Sequence, residues 1–375
     1  MQNRETDSDE CAPGVEGARS LTRAHGGNIY LAARQYDLDI RKIIDFSSNV
    51  NPLGPSSLAK RAAKKALAFI DRYPDPEMEE LRGAIARYFG IKPAQVACGN
   101  GSNGLIHHIP RVFRPRKVLV PIPTFTEYAA AAKDAGAEVV TLSLKERDGF
   151  HMDPVEISFG LKDVDMAFLC NPNNPTGQAI AKNEMLELMN YAAQYGVTLV
   201  VDEAFMDFTE SESILKETVQ TTRVICLRAF TKFFGLPGLR IGYAVSDEAT
   251  IAALRQGQEP WTVSIPAEQA AIAALTDWGH SKKTRRLIEK ERGRLLGELR
   301  LLPGVETFPG SANFILIKFS KADTHQIREK LAFRGILVRD CSSIPGLDSR
   351  YVRIAVRTRR ENKRLIKALR ELLIV

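Results

Sequence analysis

Six short apolar runs, rich in β-branched residues and bounded by turn formers, mark the middle of the chain at residues 117–123, 137–144, 165–171, 197–205, 223–230 and 240–246. Runs of that length and composition predict strands. Between them, 127–136 and 182–196 carry apolar residues near the helical period and end at Gly136 and Gly196, as helices do. Alternating strands and helices predict a mostly parallel sheet with helices on both faces, an α/β fold.

Beyond residue 265 the pattern changes to long amphipathic helices, then strand-like runs at 313–319, 335–340 and 351–356 and a terminal helix. That order predicts a second, smaller α+β domain. The expected division is a disordered tail over 1–24, a segment over 25–60 packed against the small domain and the active site, a large domain over 61–265 and a small domain over 266–375.

Composition narrows the function classes. The 375 residues are 44% hydrophobic and 26% charged, the balance of a soluble globular protein. No apolar run approaches the roughly 20 residues of a membrane span. The acidic, polar N-terminus lacks the basic start and apolar stretch of a secretory signal, so a cytoplasmic protein is expected. Five scattered cysteines without a Cys-x-x-Cys pair suggest neither a disulfide framework nor a zinc site. His107 and His108 fall in a predicted helix and point in different directions, so no metal is expected. The net charge of +7 comes largely from 281–294 and 357–364, where glutamates interleave at helical spacing. That is the pattern of a solvated helix face, and neither nucleic acid nor membrane is expected as a partner.

Three polar clusters stand where predicted strands end, and open α/β sheets bind ligands beyond the carboxyl ends of their strands. The run 165–170 leads into "NPNNPTG", 197–201 into "DEAF" and 223–227 into "RAFTK", so Asn174, Asp202 and Lys232 converge on one crevice. A lysine in a partly apolar, glycine-flanked turn can have a depressed pKa and attack an aldehyde. The aldehyde cofactor is pyridoxal 5'-phosphate, whose ring nitrogen needs a carboxylate and whose phosphate needs donors. Asp202 suits the ring nitrogen, because opposite charges favour each other's charged form. Asn174 can donate to the ring hydroxyl. Gly101, Ser102 and Asn103 open a predicted helix, and backbone amides there make an anion site. Thr231 and Arg240 complete the cradle, Arg240 with a fixed fork of donors. Phe125 stacks on the ring or belongs to the core.

With these residues in place the chain resembles the fold-type I pyridoxal-phosphate enzymes of the class I and II aminotransferase family, through "NPNNPTG", "VVDEAF" and "FTKFFGLPGLRIGY". The resemblance spans nearly everything after residue 24 and implies a homodimer with the cofactor near the subunit interface. Tyr73, in "RYPDPEMEELR", matches the family tyrosine that reaches the phosphate of the partner's cofactor. Two subgroups share most of these motifs, the histidinol-phosphate aminotransferases and the L-threonine O-3-phosphate decarboxylases of cobalamin synthesis. "HGGN" followed by "DFSSNVNPLGP" is similar to the decarboxylase subgroup. Phe205 stands where the aminotransferase subgroup usually has tyrosine, which removes a donor to the cofactor. By the same resemblance His25, Asn313, Arg339, Arg353 and Asn174 are expected to meet a small phosphorylated amino acid. The fourteen-residue spacing of the two arginines resembles a pair that holds the substrate's anionic groups, with either arginine on either group.

Overall fold

A computed structural model describes residues 26–320 and 324–373. His25 and the segment 1–24 lie outside the described residues. In chain order the strands are β1 (Ile44–Asp45), β2 (Val96–Asn100), β3 (Lys117–Ile122), β4 (Glu138–Ser143), β5 (Met166–Cys170), β6 (Thr198–Asp202), β7 (Val224–Ala229), β8 (Ile241–Val245), β9 (Val305–Phe308), β10 (Phe314–Phe319), β11 (Ile336–Leu337), β12 (Arg339–Asp340) and β13 (Tyr351–Ala355).

Seven of them form one sheet in the order β2-β8-β7-β6-β5-β3-β4. From β7 to β4 all neighbours run parallel, as the alternation predicts. Every residue of β5, β6 and β7 is buried, because helices cover both faces. The exception is β8, antiparallel to both β7 and β2. Its link to β7 is the short turn that carries Lys232, with only the 3-10 segment Pro237–Leu239 inside it. A parallel return needs a crossover of about a dozen residues, usually a helix, and none fits here. β2 was not foreseen, being five residues with a glycine that run straight into the helix Gly101–Phe113.

Two apolar layers sandwich the sheet, one centred on Leu199 and Val201 and the other on Val200 and Phe168. Each fully buried leucine or valine contributes about 1.5–3 kcal/mol, which makes the strand ends a firm base for a site. A four-stranded antiparallel sheet, β12-β13-β10-β9, builds the smaller unit over its own core of Ile315, Ile317, Val352 and Leu365. The segment from 44 to 46 joins this unit, since β1 pairs with β11 and Phe46 enters its core. The helix Ile265–Thr276 follows residue 265 yet packs with the large sheet's layer. Its Ala267, Ala270, Ala271 and Ala274 share a core with Leu81 and Ile85, and it lies against the helices Ser57–Ala66 and Glu79–Phe89. Among the described residues no helix is long and apolar enough to cross a membrane.

Candidate active site

The carboxyl ends of β5, β6 and β7 open onto a cavity of about 410 Å³ at the junction with the smaller unit. Lys232 sits in the turn after β7. The turn is clamped from the N-terminal segment, where Asn51 N–H donates to Lys232 O at 3.0 Å and Asn51 Nδ2 donates to Phe233 O at 2.8 Å. Burial, then Arg353 and Arg240, pull the Lys232 amine down to about 8, against the opposing pull of Asp202 and Asp45. Its Nζ stands 5.9 Å from the centre of the Phe205 ring. Phe205 is buried edge-on to Phe314, so no hydroxyl enters the site from this position.

Asp202 ends β6. Its Oδ1 accepts from Ala204 N–H at 2.9 Å and its Oδ2 from the Tyr128 hydroxyl at 2.7 Å. Burial raises its pKa, while Tyr128, Ala204 and Lys232 hold it back. Tyr128 is itself fixed by stacking on Phe168, with centroids 5.2 Å apart and planes at 11°. Phe125 meets Tyr128 edge-on at 5.6 Å and lines the cavity.

Of the asparagines in 171–174, Asn171 and Asn173 serve the turn. Asn171 exchanges two hydrogen bonds with the Ile180 backbone, and Asn173 Nδ2 donates to Pro123 O at 2.9 Å. Asn174 faces the cavity, and its Oδ1 accepts from Arg353 Nη1. That contact occupies the Asn174 carbonyl oxygen and leaves its amide nitrogen to donate elsewhere. Arg353 Nη2 donates to Ser47 O at 2.7 Å, and burial brings its guanidinium down to about 10. Arg339 is its direct cross-strand partner between β12 and β13. Both line the cavity, and burial lowers Arg339 as well.

At the opposite end β2 turns into the helix Gly101–Phe113. Gly101 has φ +71°, and a Cβ there would stand 2.8 Å from Arg240 Nη2. Gly242 on β8 lets the loop come closer still, since its Cβ would lie 2.3 Å from the Ser102 nitrogen. Ser102, Asn103, Thr231 and Arg240 all border the cavity.

Two expected residues stand apart. Asn313 is fully buried behind the wall, where its Nδ2 donates to Asn49 O at 3.0 Å; Asn49, not Asn313, borders the cavity. Tyr73 is 78% exposed and tilted against Trp261 at 4.7 Å, away from this chain's cavity. Sequence reasoning missed Tyr128, Glu127 and the wall formed by Ser47, Ser48 and Asn49. The serines lie inside the quoted "DFSSNVNPLGP", whereas Tyr128 reads as an ordinary core aromatic. Among the described residues no group of three or more His, Cys, Asp or Glu is placed to hold a metal ion.

This arrangement belongs to a known class. The profile of the aminotransferase class I and II family matches residues 41–369, and the chain belongs to that family. Within it, the chain is similar to the threonine-phosphate decarboxylase of Salmonella typhimurium, with 36% identity over 93% of this chain and 96% of that protein. It is also similar to histidinol-phosphate aminotransferase 2 of Archaeoglobus fulgidus, with 37% identity over 90% of this chain and 95% of the relative. Among solved structures, the L-threonine-O-3-phosphate decarboxylase of Porphyromonas gingivalis superposes with a TM-score of 0.80 at 28% identity, covering 88% of this chain and 99% of that one.

Proposed function

We propose that this chain decarboxylates L-threonine O-3-phosphate to (R)-1-amino-2-propanol O-2-phosphate and carbon dioxide, using pyridoxal 5'-phosphate, and so supplies the aminopropanol phosphate of cobalamin. The observation that carries the reading is the cross-strand pair Arg339 and Arg353 on one wall of the Lys232 cavity. Two adjacent guanidinium forks suit a substrate with both a carboxylate and a phosphate. Histidinol phosphate carries only the second of these groups. The similarity to the Salmonella decarboxylase over nearly the whole chain points the same way.

The residues present fit the cofactor. A buried carboxylate, an amine of lowered pKa and a glycine-built anion cradle converge on one cavity, where side chains at 101 or 242 would fill the cradle. When bound, the cofactor supplies a ring that withdraws electrons from a breaking bond at the α-carbon. Lys232 offers its neutral amine to the aldehyde. Asp202, held by Tyr128 and Ala204, would pair with the ring nitrogen, and Asn174 would donate to the ring hydroxyl. Ser102, Asn103, Thr231 and Arg240, which line the cavity, would hold the phosphate. Arg339 and Arg353 would hold the substrate's anions and thereby fix the orientation of its α-carbon bonds. That is an orientation effect, sensitive to small displacements. His25 is placed near the substrate phosphate by resemblance alone.

The working unit in this reading is a cytoplasmic homodimer in which the exposed Tyr73 serves the partner's site. Transamination of histidinol phosphate is the second reading, favoured by the Archaeoglobus relative. Borohydride treatment of the cofactor-loaded protein tests the site. The label belongs on Lys232, and a label on another lysine, or none, would contradict the assignment.

A further inference from the structure

A carboxylate also stands in the cavity wall, and the proposed chemistry leaves it without a role. Glu127 opens the helix Glu127–Asp134, and its side chain is only 6% exposed. Its Oε2 lies 2.9 Å from His107 Nε2, while His107 Nδ1 lies 3.5 Å from Asp134 Oδ2. Each ring nitrogen of His107 thus faces a carboxylate oxygen. His107 belongs to the helix Gly101–Phe113, four residues after Asn103, so the two occupy one face about a turn apart. Asn103 borders both the cavity and the outer groove along which His107 lies. The neighbouring His108 turns away, bonding Leu254 O at 2.8 Å.

The Glu127 carboxylate thus lines the same cavity as Ser102 and Asn103, held by a histidine one turn along the helix from Asn103. A Glu127 charge unmatched by a cation would repel a phosphate dianion in the same cavity, because charges near a protein interior interact more strongly than in bulk water. We propose that His107 neutralises Glu127, ties the phosphate-side helix to the segment bearing Phe125 and Tyr128, and so sets the affinity of the cavity for a phosphorylated cofactor. His107 is a positioning residue that acts through Glu127. The inference rests on the reading that the Gly101 end of the cavity receives the phosphate.

The test compares binding of pyridoxal 5'-phosphate and of pyridoxal, which lacks the phosphate, to cofactor-free full-length protein by fluorescence titration. Wild-type protein that fails to prefer the phosphorylated form removes the underlying reading itself. Given that preference, His107→Gln keeps a donor to Glu127 but cannot carry a charge. It is expected to weaken pyridoxal 5'-phosphate binding roughly tenfold and to leave pyridoxal within about twofold. Adding Glu127→Gln in the same chain restores the affinity. A His107→Gln variant that binds as wild type does or loses both ligands equally, or a double variant as weak as the single one, overturns the proposal. Should His107→Gln not fold, Glu127→Gln alone decides. Phosphate-dependent binding at least as tight as wild type is expected, and weaker binding overturns it.

Discussion

The Tyr128 hydroxyl donates to Asp202 Oδ2 at 2.7 Å, joining a helix after β3 to the end of β6 across 74 residues of chain. This bond opposes the upward push of burial on the Asp202 carboxyl. Hydrogen bonds to a charged group contribute about 1.5–3 kcal/mol. Tyr128→Phe is therefore expected to bind cofactor but to lower kcat by roughly tenfold or more. Steady-state kinetics on the loaded variant check this, and an unchanged kcat would show that Asp202 stays ionised without help.

The Lys232 amine sits near 8 because burial, Arg353 and Arg240 disfavour its charged form. Only the neutral amine attacks an aldehyde. The rate at which cofactor-free protein captures pyridoxal should thus climb as pH rises through about 8 and level off above it. Arg353→Met removes one of the two cations and should move that midpoint upward. Stopped-flow absorbance across pH follows both.

Gly242 makes room for the Ser102 amide, with 2.3 Å left for any Cβ. Forced overpacking costs about 1–3 kcal/mol. Gly242→Ala is expected to displace the loop at Ser102 and weaken cofactor binding by roughly tenfold. Equilibrium titration with pyridoxal 5'-phosphate measures it.

Arg228 is buried on β7 and meets Glu203 at 2.8 Å, Asp207 at 3.2 Å and Glu210 at 3.1 Å. Glu203 follows Asp202 directly, so this cluster braces the backbone that presents the Asp202 carboxylate. Removing one partner of a buried ion pair costs about 3–5 kcal/mol. Arg228→Ala should lower the urea midpoint accordingly, and Arg228→Met with Glu203→Leu should recover part of the loss.

Much of the fold and part of the site are legible in the residues. Strands ending in polar residues announce the convergence of Asn174, Asp202 and Lys232, because parallel strands flanked by helices deliver their carboxyl ends to one edge. What was hidden depends on which strands become neighbours. Tyr128 reaches Asp202 only because β5 lies between β3 and β6. The arginine spacing is visible in the chain, but the facing of Arg339 and Arg353 is a matter of β12–β13 register. The direction of β8 follows from a turn too short for a crossover. The helix Ile265–Thr276 carries an alanine face that fits the large layer, a matter of shape complementarity that periodicity does not express.

The most direct measurement supplies L-threonine O-3-phosphate to the cofactor-loaded protein with no keto acid present and follows carbon dioxide together with the phosphorylated amine. Sustained, equimolar release of both is the predicted result. No release, with glutamate formed instead when histidinol phosphate and 2-oxoglutarate are supplied, would contradict it and place the chain among the aminotransferases.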